Sequence, residues 1–154
     1  MTISIREITA DNWVDAIKLK VKDDQEDFIA SNAISLAQSK FHPHLKCYGI
    51  YSDDEMVGFS ALGTNPADGT LWIARHMVDT KHQGKGYGKA RLKAIIQFMR
   101  VKFSPEIIFL DVAKNNKIAT NLYIRAGFKN TGKTHGESPI YEFVLKDYTE
   151  DYFK

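Results

Sequence analysis

The sequence predicts an α/β fold built on one mixed, mostly antiparallel sheet of about six to seven strands with about four flanking helices. Two observations support this prediction. Short apolar runs of strand length alternate along the chain with longer segments whose apolar residues recur at helical spacing. The chain has 154 residues, of which 44% are hydrophobic, which is enough for one well-buried core and few for two. We therefore expect a single domain over residues 1–154.

The N-terminal third of the chain is predicted to be a strand followed by two helices. Residues 3–8 alternate apolar and polar side chains, as a half-buried strand does. Asp11 is a suitable N-cap for a helix whose apolar residues recur at helical spacing up to Val21. A second helical stripe covers residues 28–37 and must end before Pro43, because proline and the residue before it resist continuation of a helix.

The rest of the chain supplies the remaining strands and helices. The strand-like runs are residues 47–51, 56–63, 71–78, 107–112, 128–131 and 140–145. The first three are separated by short polar turns, so we expect them to pair in antiparallel order. Amphipathic helices are predicted over residues 88–102, with Arg91 on the polar face, and over residues 118–126. The polar and aromatic tail, residues 147–154, is expected to dock or fray.

Composition and charge restrict the classes of partner. The formal net charge is +2, and lysine and arginine are spread along the chain, so nucleic acid is not expected as a partner. No apolar stretch approaches the roughly 18 residues of a membrane span, and residues 1–6 lack signal-peptide features, so we expect a cytoplasmic protein without a membrane partner. Cys47 is the one cysteine, and its strand-like neighbours predict a structural position facing the core.

A glycine-rich segment stands between the strand predicted at residues 71–78 and the helix that follows it. Its sequence is Gln83-Gly84-Lys85-Gly86-Tyr87-Gly88. Glycines permit a tight turn and let successive backbone N–H groups approach an anion at the positive end of a helix dipole. The segment therefore predicts a binding site for a phosphorylated cofactor.

The spacing of these glycines disfavours two common phosphate-binding motifs. A P-loop needs four residues between its first glycine and a Gly-Lys pair, then Ser or Thr, whereas Gly84 and Gly88 enclose three residues and Ala90 follows. A dinucleotide fingerprint that includes Gly84 and Gly86 would need a third glycine where Lys89 stands. Nucleotide hydrolysis and nicotinamide binding are therefore not favoured.

The spacing instead matches Q-x-x-G-x-G between a strand and a helix, and further matches follow in order. They are Val78-Asp79, Asn115-Asn116, and Leu122-Tyr123 followed by Gly127-Phe128. In these motifs the chain resembles the GNAT superfamily of N-acetyltransferases. Residues 25–40 and 48–59 also look like the corresponding segments of bacterial spermine/spermidine (diamine) acetyltransferases. The resemblance implies the GNAT fold and an acyltransferase that uses acetyl-CoA and no metal.

The resemblance also implies a set of residues for acetyl-CoA. Backbone groups of Met77 and Val78 would pair with the pantetheine arm, which lies like an added strand against this edge. Asn116 would contact the same arm while it caps the following helix. The phosphates would be held by His82, Gln83, Gly84, Lys85, Gly86, Tyr87, Gly88 and Lys89. For Lys85 and Lys89, a role as solvated surface charges is an equal alternative.

Acetyl transfer to an amine requires a proton donor for the departing thiolate and a proton acceptor for the ammonium. In the L-Y-x-x-x-G-F context, the resemblance implies that Tyr123 lies beside the cofactor sulfur and acts as the acid; a core aromatic is the alternative. His76 is the candidate base, because histidine changes charge near neutral pH. Strand alternation leaves open whether its ring faces the cleft. Asp79, as a turn residue, and Glu142, as an outward strand residue, are weaker candidates.

The acceptor site is predicted near an acidic run, residues 23–27, at the start of the second helix. Such a run could attract a polyamine, but acidic residues also favour a helix N-terminus whatever the ligand. Ala74, next to Arg75, stands where polyamine acetyltransferases often carry an acidic residue. The candidate substrate residues are Asp24, Glu26, Asp27 and Arg75.

Other functions fit the same motifs. The acceptor could be a protein N-terminus or lysine, an aminoglycoside or an amino acid, and the chain could also be an acetyl-CoA sensor without turnover. A homodimer formed through the C-terminal strands is a habit of the family. A small-molecule amine, with a polyamine such as spermidine or spermine foremost, is the expected substrate.

Overall fold

The computed structural model of the protein describes residues 2–149 and residue 151. Seven strands and four α-helices form within these residues. They are β1 (Ile3–Glu7), α1 (Trp13–Lys18), α2 (Asn32–Phe41), β2 (Leu45–Ser52), β3 (Glu55–Thr64), β4 (Leu71–Val78), α3 (Gly88–Phe103), β5 (Ile107–Asp111), α4 (Lys117–Arg125), β6 (Lys129–His135) and β7 (Ser138–Val144). Short 3₁₀ helices cover Asp23–Phe28, Thr80–His82 and Leu145–Asp147. The predicted fold class is confirmed.

The seven strands form one sheet in the order β1-β2-β3-β4-β5-β7-β6. β1 to β4 pair in sequence as an antiparallel meander, which confirms the pairing predicted for the middle strands. β4 and β5 are parallel, and β7 lies antiparallel between β5 and β6. The sheet thus consists of two antiparallel halves that meet at one parallel junction.

This parallel junction between β4 and β5 is short. The strands pair at Leu71 with Ile108 and at Trp72 with Phe109, and the Trp72 and Phe109 rings stack with centroids 5.4 Å apart. β4 then continues to Val78, and no strand of the described residues pairs with it on this side. Its pairing with β3 shifts by one residue around Ala74, a β-bulge that bends the strand and increases its twist. The two strands therefore separate and leave a gap in the sheet.

Two apolar clusters cover the two faces of the sheet. The larger contains the apolar stripe of α3, in which Leu92, Ile95, Ile96 and Met99 are fully buried. The smaller joins α1 and α2 to the sheet and includes Cys47, which confirms the core position predicted for it. Burial of these side chains supplies the main stabilisation of the fold.

The second helix differs from its prediction. α2 begins at Asn32 because the Ser31 side chain accepts a hydrogen bond from the Ile34 N–H at 3.3 Å and caps the helix there. The acidic run lies instead in the separate 3₁₀ helix Asp23–Phe28 and is not the N-terminus of α2. Dipole stabilisation of α2 therefore does not explain these carboxylates.

The C-terminal hairpin is longer than predicted. The sequence predicts a strand over residues 128–131, whereas β6 extends to His135, which pairs with Ser138 across the turn. An irregularity in the pairing between Asn130 and Thr134 hides the usual alternation from the sequence. Of the predicted tail, Tyr148 docks on α3 with its hydroxyl 3.2 Å from the Gln97 side-chain nitrogen, while residues 150 and 152–154 lie outside the described residues.

Candidate active site

The glycine-rich loop is anchored at its start by two polar side chains. Asp79 is buried and accepts hydrogen bonds from the Lys20 N–H at 2.9 Å and the Lys81 N–H at 3.3 Å. Gln83 donates from Nε2 to the Val78 carbonyl oxygen at 2.8 Å and to Gln25 Oε1 at 2.9 Å. Both residues therefore fix the path of the chain between β4 and the loop, which is the turn role considered for Asp79.

The loop itself leads into α3 without a side-chain cap. Gly84 and Gly86 have φ angles of 72° and 78°, in the left-handed region that glycine adopts without strain. The Tyr87 side chain makes no capping hydrogen bond at the start of α3. The first N–H groups of this 16-residue helix are therefore open to an anion.

A cavity of about 630 Å³ extends from this loop along β4 to α4. Ten of the twelve residues predicted for acetyl-CoA line it: Met77, Val78, His82, Gln83, Gly84, Gly86, Tyr87, Gly88, Asn116 and Tyr123. Lys85 is exposed, and neither it nor Lys89 is among the lining residues. Because β4 has no partner strand beyond Trp72 on this side, backbone groups near Met77 can pair with an extended ligand. We call this space the first cavity.

Asn116 has the cap role considered for it. Its side-chain oxygen accepts a hydrogen bond from the Ala119 N–H at 3.3 Å, and the residue also borders the first cavity. The two roles are compatible, since the side-chain oxygen caps α4 while the side-chain amide nitrogen can still donate to a ligand.

Tyr123 lies on α4 at the wall of the first cavity and is 7% exposed. Its ring packs edge-on against Phe128 with centroids 5.8 Å apart. Burial first, and the nearby charge of Asp111 second, raise the pKa of its phenol to about 12. The hydroxyl is therefore protonated throughout the physiological pH range and acts as a hydrogen-bond donor.

His76 faces the first cavity because of the bulge at Ala74. Ile73 packs in the cluster with α3, whereas Met77, four residues later, packs in the cluster with α1, so the bulge exchanges the two faces of β4. His76 consequently points towards α3. Its Nδ1 atom is buried and has no hydrogen-bond partner in the described structure.

The electrostatic environment of His76 is set by burial and by Arg91. Burial first, and the positive charge of Arg91 second, lower the pKa of His76 to about 4. The ring is therefore neutral at physiological pH, but it is a weak proton acceptor for an ammonium group whose ordinary pKa is about 10.4. This environment weakens the case for His76 as the base.

The prediction that Arg91 lies on the polar face of α3 is wrong. The residue is 3% exposed, and its Nη1 donates to the His82 carbonyl oxygen at 2.9 Å. Its Nε has no partner within the described structure, and burial lowers the pKa of the guanidinium. The side chain lines the first cavity, so a buried cation with spare donors stands beside the glycine loop.

Two of the four predicted substrate residues, Asp27 and Arg75, share a cavity. Asp27 borders the first cavity, whereas Asp24 and Glu26 are exposed and line neither cavity described here. Arg75 borders the first cavity and a second one of about 420 Å³. The two cavities also share Ile73, and they therefore meet at the gap between β4 and β5.

Besides Arg75, a predicted substrate residue, the second cavity contains functional groups that the sequence did not predict. It is lined by His42 and His44 after α2, by Arg75 and by a close pair formed by Asp111 and His135. In this pair Asp111 Oδ2 and His135 Nδ1 are 2.7 Å apart. No motif marks these residues, because the chain brings them together from four separate segments.

Comparison with protein-family models shows which family the chain belongs to. The model of the acetyltransferase (GNAT) family matches residues 4–128. The chain belongs to the GNAT family of acetyltransferases. Its predicted assignment to this family and to the acyltransferases is confirmed.

This GNAT acetyltransferase has a curated relative with a polyamine substrate in its name. It is 34% identical over 139 residues to the spermine/spermidine N(1)-acetyltransferase of Bacillus subtilis, a match covering 86% of this chain and 91% of the relative. The family match and this identity agree with the motif analysis, which drew on the glycine loop and Tyr123.

Solved structures share the fold of this GNAT acetyltransferase. The spermidine N-acetyltransferase of Vibrio cholerae in complex with CoA and spermine aligns with a TM-score of 0.72 at 15% identity, covering 99% of this chain and 98% of that one. The PaiA N-acetyltransferase of Thermoplasma acidophilum in complex with coenzyme A aligns with a TM-score of 0.67 at 18% identity, covering 94% and 99%. At these identities the likeness concerns the fold. Within residues 2–149 and 151, no helix combines the length and apolar character needed to cross a membrane.

Proposed function

We propose that the protein transfers the acetyl group of acetyl-CoA to a primary amine, most favourably a polyamine such as spermidine or spermine, by direct attack in a ternary complex. One observation supports this proposal above the others. Ten residues predicted for the cofactor line a single cavity that reaches the gap between β4 and β5, and a second cavity opens on the same gap. A thioester in the first cavity is thus accessible to an amine from the second.

The first cavity suits the chemistry of acetyl-CoA. The diphosphate would be held by N–H groups of the loop from Gly84 to Gly88 and by the uncapped start of α3. The pantetheine arm would pair with the free edge of β4 at Met77 and Val78. Bound in this way, the thioester would lie near Tyr123 at the wall of the first cavity.

Tyr123 is the proposed acid for the departing thiolate. Its pKa of about 12 lies above that of an ordinary thiol, about 8.5, so proton transfer between unperturbed groups would be uphill by about 5 kcal/mol. The thiolate forms in the same buried environment, which raises its pKa as well and reduces this difference. A positioned phenol can therefore complete the proton transfer as the C–S bond breaks.

The relatives and the structure favour different acceptors. The spermine/spermidine relative supports a polyamine, and Asp27 and Asp111 supply negative charge at the two cavities. Arg75 and the three histidines of the second cavity instead favour an acceptor that carries an anionic group, such as an amino acid or a peptide. We place the polyamine first and retain this second candidate because of Arg75.

An assay of CoA-thiol release with a panel of amines tests the proposal. The panel contains spermidine, spermine, an amino acid, an N-terminal peptide and a lysine peptide, and calorimetry measures acetyl-CoA binding in parallel. Turnover highest with spermidine or spermine supports the polyamine. Turnover highest with an amino acid or a peptide would replace it by the second candidate, and tight acetyl-CoA binding without any turnover would show a sensor.

A further inference from the structure

The carboxylate of Asp111 and the imidazole of His135 form a pair that the predicted mechanism does not use. Asp111 ends β5 at the gap, and His135 ends β6, 24 residues later in the chain. Their 2.7 Å contact joins Oδ2 to Nδ1, which leaves Nε2 of the ring for another partner. The His135 side chain is 77% exposed and the Asp111 side chain 34%, so an incoming solute can reach the ring.

The contact determines which ring nitrogen can accept a proton. A neutral imidazole carries one N–H, and a carboxylate accepts hydrogen bonds but cannot donate one when ionised. The proton of neutral His135 is therefore held on Nδ1 by Asp111, and the lone pair is held on Nε2. A carboxylate that orients a histidine in this way also stabilises the imidazolium that forms when Nε2 takes a proton.

The pair occupies the place where a base for the amine is needed. His135 lines the second cavity, and Asp111 lines both cavities at the gap. Tyr123 stands on the cofactor side of the same gap, close enough to Asp111 for their charges to interact. The acid and base candidates therefore line two cavities that meet at the same gap.

The charged and titratable groups around His135 come from several elements. Arg75 of β4, Asp111 of β5, and His42 and His44 between α2 and β2 line the second cavity together with it. Asp111 is the one carboxylate among the described residues that line this cavity. An ammonium group entering the cavity therefore meets its complementary charge at the pair.

We propose that His135 is the base that deprotonates the acceptor ammonium, with Asp111 as the positioning residue that orients its ring. This inference rests on the proposed function. His135 Nε2 takes one proton from the ammonium and later releases it to water. The neutral amine nitrogen then forms a bond to the thioester carbonyl carbon. As the C–S bond breaks, the sulfur takes a proton from the Tyr123 hydroxyl, and the second nitrogen proton returns to the Tyr123 oxygen.

The test compares two acceptors that differ in basicity. One is the best amine of the panel, with a pKa near 10, and the other is its fluorinated analogue with a pKa near 7, which is largely neutral at pH 8. His135→Asn should lower kcat/KM about 100-fold with the basic amine and less than about tenfold with the analogue, because the analogue needs less help from a base. Asp111→Asn should show the same pattern at about tenfold. Lys133→Asn, at an exposed residue of β6 that lines neither cavity, should change either rate less than about twofold.

The outcomes separate this inference from the proposed function. Acetyl-CoA affinity measured by calorimetry should stay within about twofold in all three variants, and thermal unfolding checks that each is folded. His135→Gln provides a second variant if His135→Asn fails to fold. Equal losses with the two amines, or no loss, would overturn the base role while wild-type turnover upholds the acetyltransferase. Absence of wild-type turnover with every amine would overturn both.

Discussion

The residues that line the two cavities meeting at the gap between β4 and β5 come from different parts of the chain. Most residues of the first come from two segments, residues 73–91 and 110–123, and residues 21–30 and Ser138 complete its wall. The second is formed by side chains from segments far apart in the chain, among them His44 and His135. The residues proposed for the cosubstrate are thus marked by local motifs, whereas those proposed for the acceptor become neighbours only in the assembled fold.

The cavities also differ in charge. The first holds the buried Arg91 and a neutral His76 and contains open N–H groups, so its environment favours anions. The second holds a mixture of histidines, Arg75 and the carboxylate of Asp111. The difference agrees with a phosphorylated ligand on one side and a proton-bearing amine on the other.

The largest expected effect is the loss of kcat when Tyr123, the proposed acid, is replaced. Tyr123→Phe should lower kcat about 100-fold and leave acetyl-CoA affinity within about twofold, because it removes one proton donor and little packing. Stopped assays with saturating acceptor measure kcat, and calorimetry measures affinity. Tyr141→Phe, an equally buried tyrosine of the same core cluster, is the control and should retain its rate. Unchanged kcat in Tyr123→Phe would remove the acid role.

A backbone substitution isolates the first cavity. Gly86→Ala should weaken acetyl-CoA binding about tenfold, because alanine disfavours the φ of 78° that the loop requires by about 1–2 kcal/mol. Gly69→Ala is the matched control, since Gly69 has a φ of 73° in the turn before β4 and lines neither cavity. Both variants should unfold at similar denaturant concentrations, but calorimetry should show weaker binding for Gly86→Ala alone. Equal affinities would mean that the loop does not bind the cofactor.

A substitution at Arg91 tests the difference in charge between the two cavities. Arg91→Leu should weaken acetyl-CoA binding about fivefold, while the free energy of unfolding stays the same or rises slightly, since an apolar residue avoids burying a charge. Calorimetry and denaturant unfolding give the two quantities. Arg125→Leu, at an exposed site on α4, should change neither. A large loss of stability with unchanged affinity would assign Arg91 to folding alone.

The smallest expected effect is a pH dependence of stability. His76 has a folded-state pKa of about 4, below the ordinary value of about 6.5, so the unfolded chain takes up its proton first as the pH falls. The stability from neutral His76 is complete above pH 6.5 and is lost as the pH falls towards about 4. After allowance for partial exposure of the ring, about 1 kcal/mol should be involved. His76→Gln should flatten this slope in denaturant unfolding between pH 4 and 7; an identical slope would contradict the assignment.

Local patterns predicted the fold, and ten of the residues that they indicated for the cofactor line the first cavity. The glycine spacing, the apolar stripe of α3 and the Leu122-Tyr123 segment each depend on neighbours within a few residues, and such signals survive in one sequence. Arg91 shows where a simple polar-or-apolar pattern fails. It lies four residues before Ile95 on the buried stripe, and this spacing was the available signal for its burial.

The second cavity shows what local patterns cannot predict. The contact of Asp111 with His135 depends on the length and irregular register of the β6–β7 hairpin. No alternation of apolar and polar residues in the sequence indicates either property. Similarly, the orientation of His76 depended on a bulge that adds one residue to β4. Both features are set by strand pairing between distant segments.

The extra residue at Ala74 constrains how this enzyme can diversify. Removing it would exchange the faces of every β4 residue on one side of the deletion, so Arg75 and His76 would trade places and the open edge could close onto β5. Insertions or deletions in this strand would thus alter both cavities in a single step. We therefore expect the acceptor side of the gap to change through amino-acid replacement at constant strand length.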